Sequence, residues 1–112
     1  MRARRVRVFV GDDERYRGRP LFEAIVFEAK ERGLAGATVF RGFMGYAPHA
    51  DIAPAGILRL AENLPVVVDI VDSHERVEAF LPFLRRAVRT GIVVSSDVEA
   101  EQILSDEGTE EA

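Results

Sequence analysis

The chain has no cysteine and only two histidines. Without a thiol there is no disulfide framework, no thiolate metal site and no cysteine nucleophile, and a reducing, cytoplasmic setting is expected. Long apolar runs are also lacking. No stretch approaches the ~18 residues a membrane span needs, and the basic opening Met1-Arg2-Ala3-Arg4-Arg5 leads into a short alternating run, not the ~7 to 15 apolar residues of a signal peptide. A soluble protein is expected. Nor is there a surplus of positive charge. Fifteen basic residues stand against 19 acidic ones, a net charge of −4, which opposes attraction to a polyphosphate backbone and argues against nucleic acid as a partner. A length of 112 residues leaves no room for two independent cores. A domain this small buries only about two-thirds of the surface its unfolded chain exposes, so association with copies of itself would help it.

The charge that is present is unevenly placed. Arg2, Arg4, Arg5, Arg7, Arg15, Arg17 and Arg19 crowd the beginning, and the acids gather after Asp97. Such a crowd is either a solvated surface or a local anion site.

Residues 4–10 alternate with Val6, Val8 and Val10 on one face, the period of a strand. Gly11-Asp12-Asp13 breaks the pattern, and an exposed charged loop is expected up to Gly18. Pro20 fits a first helical position, and Phe22, Ile25, Val26 and Ala29 recur at helical spacing until Gly33. Ala37 to Phe43 reads as a second strand that ends near Gly42 or Gly45. The long segment from Gly45 to Leu64 holds Pro48, Pro54 and Gly56 and reads as a functional loop, a disordered stretch or a misassigned element, with Ile57, Leu58 and Leu60 suited to one helical turn. Val66 to Val71 is the clearest strand. Asp72 is expected to cap the next helix with Glu75 as its capping-box partner, and Val77, Phe80, Leu81, Leu84 and Val88 form the apolar stripe. Pro82 inside that stripe is expected to kink or divide the helix. Ile92 to Glu99 reads as the fourth strand. The domain is expected to span residues 1–104, with 105–112 a disordered acidic tail.

The order βαββαβ predicts an α+β, ferredoxin-like fold: a four-stranded antiparallel sheet of order 4-1-3-2 with two helices on one face. Val6, Val8, Val10, Val66, Val68, Ile70, Ile92 and Val94 are expected under the helices. Arg5, Arg7, Phe9, Thr38, Phe40, Val67, Asp69, Val71, Val93, Ser95 and Asp97 are expected on the other side, where Arg5 and Arg7 can pair with Asp69 and Asp97. That mixture suits an oligomer interface, carried by Arg5, Arg7, Phe9, Phe40, Val67, Asp69, Val71 and Val93.

The segments Gly36-Ala37-Thr38-Val39-Phe40-Arg41-Gly42-Phe43-Met44-Gly45 and Leu64 to Asp72, with Pro20-Leu21-Phe22 ahead of the first helix, resemble the domain of unknown function 190 family of the PII-like superfamily. The resemblance covers roughly residues 5 to 103. It implies a cytoplasmic homotrimer that signals by binding a small anionic ligand or an adenine nucleotide in its subunit clefts. It also implies that the 45–64 loop engages a protein partner such as a membrane transporter. By that resemblance Thr38 faces the adenine, Gly42 and Gly45 let backbone approach phosphate, and Thr90 and Gly91 begin the loop before the fourth strand. Arg41 can offer a forked donor to a carboxylate or phosphate. The glycine-rich, lysine-bearing phosphate loop of nucleotide-binding relatives is missing, because Ile92-Val93-Val94 follows Gly91 directly.

Other readings stay open. One is a structural or adaptor oligomer without a small ligand. Another is a small hydrolase of the acylphosphatase type, although residues 11–18 lack its phosphate-cradling glycines. His49 and Asp51 are candidate metal ligands, with His74 the remaining histidine, too scattered to define a site. Ser73, Ser95, Ser96 and Ser105 sit in no catalytic motif, so no enzyme is expected.

Overall fold

The computed structural model describes residues 1–46 and 64–105. Along the chain run β1 (Arg2–Gly11), a hairpin of β2 (Arg15–Tyr16) and β3 (Arg19–Pro20), α1 (Leu21–Glu31), β4 (Ala37–Arg41), β5 (Pro65–Asp72), α2 (His74–Ala87) and β6 (Ile92–Glu99). The large sheet has the order β4-β5-β1-β6, all neighbours antiparallel. Leaving the hairpin out of the count, this is the 4-1-3-2 arrangement read from the other edge. The fold is α+β and ferredoxin-like, and it differs in detail by the added two-stranded ribbon.

Alternation places Val6, Val8 and Val10 of β1 beside Val66, Val68 and Ile70 of β5, all buried. Leu21, Ala24, Ile25 and Ala29 of α1 and Val77, Phe80, Phe83, Leu84 and Ala87 of α2 close over them. Each such Val, Leu, Ile or Phe contributes about 1.5–3 kcal/mol by leaving water. The helical phase differs slightly from the expected stripes: Phe83 and Leu21 lie in the core, while Phe22, Val26, Leu81 and Val88 pack at its margin.

Several expectations are corrected. Residues 11–20 are not simply a loop. Arg17 (φ 52°) and Gly18 (φ 85°) both take positive φ, the geometry that lets two residues join hairpin strands. Pro20 therefore ends β3, one position before the helix begins. Ser73, not Asp72, caps α2, its hydroxyl accepting from the Arg76 N–H at 3.2 Å. Asp72 is buried and accepts from the Ala35 N–H at 2.8 Å and the Ser73 N–H at 2.6 Å, tying the turn before β4 to the start of α2. Pro82 neither divides nor ends α2. It lies on the exposed side of the helix, as does Glu78 four residues earlier, so the hydrogen bond it omits belongs to the solvent side of α2. β4 stops at Arg41, short of Phe43.

The fourth strand's phase is also corrected. Val93 pairs with Val8 and Ser95 with Val6, which puts both on the helix side, and Val93 lies beside Leu81 and Leu84. Ile92 pairs with Phe9 and Val94 with Arg7, so those two take the open face. Asp97, opposite Arg4, also turns to the helix side, where Arg4 Nε lies 3.5 Å and His74 Nε2 3.2 Å from its carboxylate. The described helices include none long and apolar enough to cross a membrane. The suggested turn at Ile57, Leu58 and Leu60, with His49 and Asp51, lies outside the described residues.

Candidate functional site

The uncovered side of the sheet is ordered in rows. Phe40, Val67, Phe9 and Ile92 follow one another across β4, β5, β1 and β6 as an unbroken apolar row, and Thr38, Asp69, Arg7 and Val94 form the row beside it. Phe40, Ile92 and Val94 are exposed large apolar side chains, with no element of the chain covering this face among the described residues. The charge in the second row is compensated. Asp69, its side chain only 12% exposed, accepts from Arg5 Nε and Nη2 at 3.1 Å and from Arg7 Nε at 3.3 Å. Partial burial disfavours the Asp69 carboxylate, but the hydrogen bonds and charge of Arg5, then of Arg7, outweigh it and hold the carboxyl below the usual range. Asp69 in turn raises Arg5 through the same hydrogen bonds and its charge.

At the end where β4 stops, Arg41 Nη1 donates to Asp12 Oδ2 at 2.7 Å and its guanidinium lies 6.0 Å from the Phe22 ring centre. Asp12 Oδ1 accepts from the Leu64 N–H at 3.0 Å, and the Asp12 N–H donates to the Leu64 carbonyl at 2.8 Å. The Asp12 side chain is 5% exposed and that of Arg41 46%. Gly42 follows, its N–H donating to the Pro65 carbonyl at 2.8 Å. A Cβ at Gly42 would meet Pro65 Cγ at 3.0 Å, and Gly45 has φ 142°, so both glycines serve the tight path of the chain around Pro65. Phe43, Met44 and Tyr46 stand exposed beside them. Gly91 fills a similar need: a Cβ there would lie 2.7 Å from the Phe9 carbonyl oxygen.

These positions do not converge within one chain. Thr38 pairs with Asp69 on the open face, whereas Arg41 pairs with Val66 and points to the helix side. Arg41, Gly42 and Gly45 belong to one edge of the sheet, while Thr90 and Gly91 precede the strand at the other edge. Three interstrand steps separate those edges, about 14 Å. Thr38 lines a hollow of about 510 Å³ with Ala35, Gly36, Asp69, Val71 and Asp72, large enough for a nucleoside-sized group. Its two aspartates are already engaged, Asp69 by Arg5 and Arg7 and Asp72 by backbone N–H groups, and among the candidate ligand residues Arg41 is the one cation. The described residues contain no cluster of three metal-ligating side chains.

Asp12 is the residue at this end of the sheet that sequence reasoning missed, and Asp72 was given the wrong partner. Gly11-Asp12-Asp13 marks a turn, but nothing in it announces a partner 29 positions away.

The DUF190 family model, described as an uncharacterized ACR, matches residues 3–100. A UPF0166 protein of Aquifex aeolicus (strain VF5) is 38% identical over 94 residues, 84% of this chain and 89% of that protein. Among solved structures, a PII-like signaling protein from Thermus thermophilus matches with a TM-score of 0.64 at 17% identity over 88% of each chain. CPII from Thiomonas intermedia K12, bound to ADP and bicarbonate, matches with a TM-score of 0.62 at 14% identity over 91% of each chain. At such identities the structural likeness speaks to the fold alone.

Proposed function

This chain belongs to the DUF190 family, and on that premise we propose that it is a PII-like regulatory protein, a binder and not an enzyme, acting as a cytoplasmic homotrimer. The observation that carries the reading is the apolar row Phe40, Val67, Phe9 and Ile92, left open across the whole sheet. Copies of the chain would cover it, with Arg5, Arg7, Asp69 and Val71 around it. Val93, turned to the helix side, drops out of that set, and Val94 replaces it.

Assembly would answer why the two edges lie apart: Gly42 and Gly45, at the β4 edge of one copy, would meet Thr90 and Gly91 of a neighbour, while Thr38 and Arg41 of that copy keep to opposite faces of β4. A small anion or an adenine nucleotide is the ligand class: on the open face Thr38 borders a nucleoside-sized hollow, and on the helix side the exposed part of the Arg41 guanidinium is a separate contact for an anion. A ligand that favours one arrangement of the 45–64 segment would shift its population and so its engagement of a protein partner, with transporters a fitting class.

Native mass spectrometry combined with calorimetry tests this reading. The expected result is three chains per particle and a saturable heat with ADP or AMP, measured with and without bicarbonate. A trimer giving no heat or thermal shift with any adenine nucleotide, cyclic dinucleotide or bicarbonate overturns the ligand and leaves the adaptor. That second reading is favoured by one observation: the space at Gly91 is already filled by the Phe9 carbonyl. It predicts hydrogen-exchange protection around Phe43, Met44 and Tyr46 only when a protein partner is present.

A further inference from the structure

The arginines of the hairpin take no part in the site above, and they sit on the helix side of the molecule. Tyr16 packs edge-on against Phe83 of α2, ring centres 5.7 Å apart at 80°. The Arg17 guanidinium lies 5.3 Å from the Tyr16 ring centre, and that of Arg19 lies 4.8 Å from the ring of Phe27, which is 54% exposed on α1. Between hairpin and helices runs a groove of about 410 Å³ lined by Tyr16, Arg17, Arg19, Phe27 and Phe83, with Glu28 and Glu31 on the α1 side.

Its charges do not cancel. Glu28 is occupied by Arg32 Nε at 2.8 Å. Among the described residues no carboxylate lies within 4.0 Å of Arg17, Arg19 or Arg86, whose guanidinium is 5.9 Å from the Phe83 ring. Within the lining of the groove, Glu31 is the carboxylate left to oppose Arg17 and Arg19. Arg17 is also the one non-glycine residue with positive φ among those described, a backbone state that a long side chain adopts at a cost. Glycine there would relieve that cost.

We propose that this groove is a docking site for an acidic protein segment carrying an aromatic or aliphatic side chain. The apolar side chain would cover Phe27 and Phe83, while carboxylates flanking it would pair with Arg17, Arg19 and Arg86. Forked guanidinium groups stacked on rings are preorganised for carboxylates, and desolvation of the rings on docking strengthens both contacts. The chain's net charge of −4 and Glu31 beside the groove disfavour a nucleic acid, whose phosphates repeat at close spacing. The surface lies on the opposite side of the sheet from the apolar row, so it remains accessible in an assembly built on that row.

The test uses the full chain and a fluorescent synthetic peptide of alternating Glu and Phe, followed by anisotropy. Controls are the Gln-for-Glu peptide, a single-stranded oligonucleotide and anionic phosphatidylglycerol vesicles. Saturable binding of the acidic peptide is expected, falling at least roughly tenfold in the R17A/R19A double variant and weakening as salt rises. Arg17→Gly separates docking from structure: it should weaken peptide binding while leaving Tm unchanged or raised. No saturable binding, equal binding of the Gln peptide, equal binding by R17A/R19A, or tighter binding of oligonucleotide or vesicles through the same arginines would each overturn the proposal.

Discussion

Arg41 at the end of β4 and Asp12 in the turn after β1 meet at 2.7 Å, and through Asp12 the arginine is coupled to the backbone of Leu64. One carboxylate thus fixes both the exit from β4 and the entry to β5.

Removing Asp12 leaves the part-buried Leu64 N–H without its acceptor, and removing Arg41 leaves one oxygen of an almost wholly buried carboxylate unpaired. Asp12→Ala is expected to cost about 1–3 kcal/mol, the usual penalty for breaking buried polar pairing. Asp12→Asn should cost less, since its amide oxygen can still accept from Leu64. Urea denaturation gives the order Ala worse than Asn; equal losses would show that the Leu64 hydrogen bond contributes nothing.

Asp69 and Glu14 should respond to acid in opposite senses. The Asp69 carboxyl is held below its usual value, so its contribution is present above the unfolded carboxylate value, about pH 4, and fades as pH falls through the folded one. Asp69→Asn should therefore be less stable than wild type at pH 7, with the gap closing toward pH 3. Glu14 is raised by burial and by neighbouring Asp13, against the pull of Arg89. Its folded form binds the proton more tightly, so it favours the native state in acid and loses that advantage as pH rises. Glu14→Gln should gain stability at neutral pH. Urea midpoints across that range check both signs.

Neighbouring residues of β6 should behave differently because their faces differ. Ile92→Asp and Val94→Asp place charge on the open face and should weaken the proposed trimer by roughly tenfold or more, given about 1.5–3 kcal/mol for a buried apolar side chain. Val93→Asp faces Leu81 and Leu84 and should lower the unfolding temperature instead. Sedimentation and thermal unfolding together distinguish the two outcomes.

Gly91 and Gly36 offer a contrast in backbone crowding. A methyl at Gly91 would come within 2.7 Å of the Phe9 oxygen, whereas one at Gly36 meets nothing within 4 Å. Gly91→Ala should cost about 1–3 kcal/mol, as overpacking does, and Gly36→Ala should be neutral. Chemical denaturation reads both.

The first strand was legible because Val6 and Val8 alternate with Arg5 and Arg7, and the third because the apolar run Val66 to Val71 is broken only at Asp69, which marks the face opposite Val66, Val68 and Ile70. In Ile92-Val93-Val94 every residue is apolar, so the run shows a strand without showing which face is which. The hairpin was hidden because arginine at positive φ is not a turn signal. Pro82 misled because the broken hydrogen bond falls on the wet side of α2. Asp72 looked like a cap since it precedes the helix by the usual spacing, yet its partner Ala35 is distant in sequence. The site was harder still. Thr38, Arg41, Gly42 and Gly91 were named from the chain, but strand order and pleat decide that they part to two faces and two edges.

Sedimentation equilibrium at micromolar concentration tests the central claim most directly. Covering of the row Phe40, Val67, Phe9 and Ile92 by neighbouring copies predicts a particle three times the 12.4 kDa chain, reduced to single chains by Ile92→Asp. A wild-type chain sedimenting at its own mass would contradict it.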